Sequence, residues 1–217
     1  MNKGFIFDLD GVIVDTAKYH YLAWKKLAHE LGFEFTKEDN ERLKGVSRMA
    51  SLDILLEVGE ISATDEEKFK MAEQKNADYL EYIKRMTPEE LLPGAKDFLK
   101  AARAEGIKTA LGSASKNAML ILRQTGITDL FDAIVDGNCV SQAKPDPEVF
   151  LNAAKKLQLQ DRDCVVFEDA VAGVEAANRA GMKCVGIGSP EVLTKADFCV
   201  DSLADVTVDK VLLLLGA

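Results

Sequence analysis

The feature that most constrains this chain is an alternation of short apolar runs with segments of helical period. GFIFDL, KTALGS, DAIVD, CVVFED, KCVGIG and FCV are each too short for a buried helix. Most are rich in Phe, Ile and Val, so each reads as a strand. Among them, AKDFLKAARAE, NAMLILRQT, PEVFLNAAKKL and VAGVEAANRA carry apolar residues at helical spacing. Strands alternating with helices imply a parallel sheet covered on both faces, a doubly wound, Rossmann-like α/β core. The punctuation agrees. Gly106, Gly126 and Gly181 follow helical runs as helix-ending glycines do, and Asp146-Pro147 reads as an N-cap followed by proline at the first helical position.

One stretch breaks the alternation. Residues 16–87 carry several helical patterns and no convincing strand. Thr64-Asp65-Glu66-Glu67 is a capping-box start for a helix running towards Met86, and Leu31-Gly32 reads as a helix stop. The expected organisation is an α/β core domain of residues 1–15 and 88–217, with a helical cap domain of residues 16–87 inserted after the first strand. The chain returns to the core near Leu92-Pro93-Gly94.

Composition removes several function classes. A formal net charge of −9 over 217 residues excludes a nucleic-acid partner, which needs a basic face. Cys139, Cys164, Cys184 and Cys199 form no C-x-x-C pair and no zinc spacing, so reduced, buried thiols are expected. The MNKGFIFDLD start reads as lacking a secretory signal, and no apolar run reaches membrane-spanning length. The expectation is a cytoplasmic protein with no membrane partner, and nothing in the sequence demands more than a monomer.

Open parallel sheets bind ligands beyond the carboxyl ends of their strands. Asp8 and Asp10 follow the first strand, Ser113 ends the second, Lys144 lies in the loop after the third, and Glu168-Asp169 end the fourth. Four carboxylates on one rim repel one another unless neutralised, and a hard divalent cation with oxygen ligands, Mg²⁺, suits a phosphate site. Asp8 can attack phosphorus to give an aspartyl phosphate. Gly11 lets the chain turn so that Asp10 reaches the same centre. Asp10 can then donate a proton to a leaving oxygen and take one from an incoming hydroxyl. Lys144 can balance charge on the phosphoryl group, with Ser113 and backbone N–H groups holding its oxygens.

DLDGVIVDT, residues 8–16, is similar to the first motif of the haloacid-dehalogenase-like phosphotransferases, and Ser113, Lys144 and Glu168-Asp169 match that superfamily's other three motifs in order. The resemblance implies Asp8 as nucleophile and Asp10 as acid/base. It also implies Mg²⁺ held by the Asp8 side chain, the Asp10 backbone carbonyl and Asp169, with Glu168 close by. LKGVSR at residues 43–48 and SASKN at residues 113–117, with His20, Trp24 and Lys75-Asn76, resemble the β-phosphoglucomutase family more narrowly. In that family a helical cap closes over a sugar phosphate. Arg48, Ser115, Lys116 and Asn117 are then implied to hold the phosphate that is not being transferred. Gly45, Val46, His20 and Lys75 are implied near the sugar or hinge, and Thr16, Trp24 and Ala114 join the substrate contacts. Two positions depart from the family pattern: Gly112 stands where alanine is common, and Gln74 where a basic residue is expected.

The implied activity is interconversion of β-D-glucose 1-phosphate and glucose 6-phosphate through an aspartyl-phosphate enzyme and a sugar bisphosphate. A Mg²⁺-dependent phosphatase releasing the same Asp8 intermediate to water is the alternative. Trp24 reads equally well as cap core, and His29 as a solvated helix residue.

Overall fold

The structure is a computed structural model and describes residues 2–43 and 47–216; Gly45 and Val46, expected near the sugar, lie outside the described residues. All six apolar runs are strands: β1 (Gly4–Phe7), β2 (Lys108–Gly112), β3 (Ala133–Val135), β4 (Cys164–Glu168), β5 (Lys183–Ile187) and β6 (Phe198–Val200). They form one parallel sheet in the order β3-β2-β1-β4-β5-β6. The helices are α1 (Ala17–Glu30), α2 (Lys37–Glu41), α3 (Arg48–Val58), α4 (Asp65–Ile83), α5 (Ala95–Ala104), α6 (Ala118–Gln124), α7 (Glu148–Leu157), α8 (Val171–Arg179) and α9 (Val208–Leu212).

The sheet explains why its strands read as continuous apolar runs. Helices cover both faces, so successive side chains are buried in both directions. On β1, Phe5 and Phe7 point to one face, where Phe7 stacks on Phe167 with centroids 4.6 Å apart and Phe5 stacks on Phe98 at 5.9 Å. Ile6 points to the other and packs with Ala110, Phe150 and Val166. Gly106, Gly126 and Gly181 all adopt left-handed φ at 75°, 67° and 72°, where residues with a Cβ are strained. Asp146 Oδ1 accepts from Glu148 N at 2.9 Å, but the cap position falls on Pro147 and the helix begins at Glu148, one residue later than the sequence implied.

The chain divides into two compact units, Met1–Asp15 with Thr87–Ala217, and Thr16–Met86. The second holds α1 to α4 and has its own core, in which Trp24, Leu27, Phe35, Leu52, Leu55 and Ala72 cluster. Helix α4 starts at the Thr64 capping box, with Glu67 Oε2 accepting from Thr64 N at 2.8 Å, and stops at Ile83, short of Met86. The four cysteines are free. Cys164 and Cys184 are buried and Cys199 half-buried, but Cys139 is exposed, contrary to expectation, because it lies in the loop after β3. Among the described residues no helix is long and apolar enough to cross a membrane.

Candidate active site

The rim of the sheet assembles from the end of β1 outward. Asp8 N donates to Phe167 O at 3.0 Å, so parallel pairing carries the chain one residue past the strand. A tight turn follows, closed by Gly11 N to Val14 O at 2.7 Å and Ile13 N to Leu9 O at 2.9 Å. Gly11 sits at φ +78°, and a Cβ there would lie 2.0 Å from Asp169 Oδ2. Only glycine meets both demands. The Asp169 carboxylate therefore packs directly against the turn that carries Asp10.

Lys144 ties the rim together. Its Nζ donates to Asp8 Oδ1 and to Glu168 Oε1, each at 2.5 Å. Glu168 is 1% exposed; its Oε2 accepts from Ala170 N at 2.9 Å, and its carboxylate lies where a Cβ on Gly173 would be. With both oxygens engaged, Glu168 acts as an anchor for Lys144.

Two supports of Lys144 escaped the sequence reading. The ammonium lies over the Phe150 ring, 4.7 Å from its centroid. Phe150 fills the space that Gly112 leaves open, since a Cβ at Gly112 would lie 2.9 Å from Phe150 Cδ1. That contact accounts for glycine at this departure from the family pattern. Glu148 Oε2 accepts from Ser141 N, Ser141 Oγ and Gln142 N at 2.9, 2.9 and 2.8 Å, pinning the loop that delivers Lys144. Both residues sit in the first turn of α7, a place the sequence marks only as a helix start.

The electrostatics follow from this burial. Desolvation pushes the Asp8 carboxyl well above the ordinary carboxylate range, with Lys144 opposing and Glu168 adding to the rise. Burial disfavours charge on Lys144, but Asp8 and Glu168 outweigh it and raise its pKa, so the ammonium persists. Asp169 is pushed up to about 7 by burial, and then by Glu168 and Asp10. Lys144 alone does not balance Asp8, Asp10, Glu168 and Asp169, so the rim suits a further cation. Among the described residues no three His, Cys, Asp or Glu side chains converge as a metal cage. The expected donor set, two carboxylates and the Asp10 carbonyl, does not require one.

Ser113 is 2% exposed, with its N donating to Val135 O at 3.0 Å. Its Oγ accepts from Ser115 N at 3.1 Å, and Ser115 Oγ accepts from Asn117 N at 3.3 Å, so residues 113–117 form a self-bonded loop. Ala114 and Lys116 are exposed on it.

The helical unit gathers a second set. Arg48 donates from Nη1 to Glu73 Oε1 at 3.1 Å and from Nη2 to Asn76 Oδ1 at 2.9 Å. Lys75 and Trp24 are each 3% exposed. The Lys75 ammonium lies 2.9 Å from His20 Nδ1, 4.4 Å from the Trp24 ring centroid and 5.2 Å from that of Tyr79. Burial pulls Lys75 down to about 7, helped by the charge on Arg48. Burial, then Lys75 and Arg48, pull His20 down to about 3. The imidazole is thus neutral, with its Nδ1 facing Lys75 Nζ. Thr16 is fully buried and accepts from Tyr79 OH at 3.3 Å. Tyr79 was not anticipated; its signal was its place one turn after Lys75. His29 is exposed.

Residues 2–181 match the family model described as haloacid dehalogenase-like hydrolase. The chain is 46% identical over 209 residues to the β-phosphoglucomutase of Bacillus subtilis, covering 95% of this chain and 92% of that one. It is 34% identical to a phosphorylated carbohydrates phosphatase of Thermotoga maritima, over 83% of this chain and 82% of that one. The crystal structure of β-phosphoglucomutase from Clostridium difficile superposes with a TM-score of 0.89 at 45% identity, covering 100% of this chain and 98% of that one. A motif set at the carboxyl ends of the first four strands and a family match over most of the chain lead to one conclusion: the chain belongs to the haloacid dehalogenase-like hydrolase family.

Proposed function

We propose that the chain is a phosphosugar mutase interconverting β-D-glucose 1-phosphate and glucose 6-phosphate. The observation that carries this reading is the 46% identity with a β-phosphoglucomutase over 95% of the chain, which spans the helical unit as well as the sheet. Residues 1–15 and 88–217 serve as the catalytic core, and residues 16–87 as a cap.

Asp8 attacks one phosphorus of a sugar bisphosphate; the P–O bond to the sugar breaks, and Asp10 protonates the departing oxygen. The phosphoenzyme then passes its phosphate to the free hydroxyl of β-D-glucose 1-phosphate, Asp10 taking that proton and Asp8 being regenerated; the bisphosphate so formed reorients, Asp8 takes its other phosphate, and glucose 6-phosphate is released. Lys144, held by Asp8 and Glu168, offsets charge on the transferring group, and Ser113 orients its oxygens. Asp8, the Asp10 carbonyl and Asp169 would hold Mg²⁺, which supplies further charge neutralisation on the phosphoryl oxygens when bound. Arg48, Ser115, Lys116 and Asn117 hold the second phosphate, and Thr16, His20, Trp24, Lys75 and Ala114 support the sugar side.

The 34% identity to a carbohydrate-phosphate phosphatase favours a second reading, in which water takes the phosphoryl group from Asp8. ³¹P NMR of β-D-glucose 1-phosphate with the protein, Mg²⁺ and a trace of the bisphosphate separates the two. Growth of a glucose 6-phosphate signal is expected; accumulation of inorganic phosphate alone would establish the phosphatase.

A further inference from the structure

The loop at residues 113–117 is gripped from behind by the segment that follows β3. Gly137 N donates to Ser115 O at 3.1 Å, and Asn138 Nδ2 donates to Lys116 O at 3.1 Å. Asp136, 8% exposed, fixes Asn138 in turn, accepting from its N at 2.9 Å and its Nδ2 at 3.2 Å. The approach at Gly137 is close: a Cβ there would lie 2.1 Å from Ala114 O and 3.0 Å from Lys116 N. Gly137 and Asn138 therefore engage three consecutive residues of the loop, and Asp136 holds Asn138 in place for it. Peptide groups are planar and trans, so pinning the carbonyls of Ser115 and Lys116 turns the following N–H groups to the opposite side.

We propose that Asp136, Gly137 and Asn138 are positioning residues for the second phosphate of the substrate, acting through Ser115 and Lys116. This rests on the mutase reading above, in which the loop holds the phosphate not being transferred. Asn138 supplies the donor, Asp136 aims it, and Gly137 leaves room for the loop to seat. The brace contributes to discrimination between a sugar phosphate and a phosphate donor with no second anion.

The test is steady-state kinetics on the full chain, with folding checked by thermal melt. Asn138→Asp keeps the shape but replaces the donor by an acceptor facing the Lys116 carbonyl. It and Asn138→Ala should raise KM for β-D-glucose 1-phosphate and for the bisphosphate about tenfold, the scale of one lost hydrogen bond. Phosphorylation of Asp8 by acetyl phosphate should change by less than about twofold, because that donor does not engage the loop's second-phosphate groups. Gly137→Ala, which drives a methyl onto the Ala114 carbonyl, should give the same selective pattern by an independent route. Lys116→Ala serves as the reference. If it raises KM while the Asn138 and Gly137 variants do not, the brace has no positioning role. Parallel loss of sugar-phosphate and acetyl-phosphate reactions would make the segment merely structural. If Lys116→Ala also leaves KM unchanged, the loop is not the second phosphate site and the reading beneath the proposal fails with it.

Discussion

Replacing Lys75 by methionine should stabilise the helical unit at acidic and neutral pH and lose that advantage as pH rises. Lys75 is 3% exposed, and burial lowers its pKa from 10.5 to about 7. A tenfold change in proton affinity is about 1.4 kcal/mol, so holding the charge in the folded state costs roughly 5 kcal/mol. Unfolded, the side chain keeps its proton to about pH 10.5; folded, it releases it near 7. Between those values the unfolded chain binds more protons and stability rises with pH, so the penalty is complete below pH 7 and gone above about pH 10.5. The rings of Trp24 and Tyr79 return about 1–2 kcal/mol to the ammonium, and methionine forfeits the bond to His20, worth about 1 kcal/mol. The net expectation for Lys75→Met is a gain of about 2–3 kcal/mol at pH 6, shrinking to nothing near pH 10. Trp24 is the chain's single tryptophan and lies in the same unit, so its fluorescence in urea titrations at pH 6 and pH 9.5 reports the relevant unfolding. An equal stability difference at both pH values, or a less stable variant at pH 6, would refute the reasoning. Turnover of the sugar phosphate should fall in the same variant, a buried charge being tolerated where function needs it.

Asp8→Asn should abolish the acid-stable, alkali-labile phosphoenzyme, since the amide has nearly the same shape but is a very poor nucleophile; trapping with labelled acetyl phosphate reads this directly, and normal turnover would remove Asp8 from its role. Asp10→Asn should slow transfer to and from sugar hydroxyls about 10²–10⁴-fold. Transfer from acetyl phosphate, whose leaving group needs little protonation, should suffer less, and equal losses with both donors would contradict the acid/base assignment. Arg48→Ala should lower kcat/KM for β-D-glucose 1-phosphate by one to two decades, about 1.5–3 kcal/mol for a lost charged hydrogen-bond partner. Its exposed contact with Glu73 should contribute less than about 1 kcal/mol to the melt. Arg48→Lys should recover only part of the activity, because the planar fork is lost while the charge remains; full recovery would mean that charge alone matters.

The rim was legible because its chemistry sits where local pattern is strongest. A four- or five-residue apolar run that ends in Asp, Ser or Glu announces both a buried parallel strand and a polar group at its carboxyl end, as at Phe7-Asp8, Gly112-Ser113 and Phe167-Glu168. The helical unit was less legible. Helix α4 carries charges around much of its circumference, and from spacing alone Lys75 was one more solvated lysine; only the family resemblance lifted it. Phe150 and Glu148 carry no signal beyond their place in the PEVFLNAAKKL helical pattern, because their role lies in what they touch elsewhere: Lys144, Ser141 and Gln142.

By itself, the sequence determined the six strands, the glycine-terminated helices, the Thr64 cap and the helical interruption between the first two strands. Each of these is decided within a few residues, by side-chain period, by the steric limits on φ, or by a side chain bonding to a neighbouring N–H. Tertiary structure alone decided the strand order β3-β2-β1-β4-β5-β6, the pairing of Lys144 with Asp8 across 136 positions, the burial of Lys75 against Trp24, and the grip of residues 136–138 on the loop at 113–117. These are contacts between segments that meet only when the core packs, and their energies depend on burial and on partner geometry, quantities that no local spacing contains.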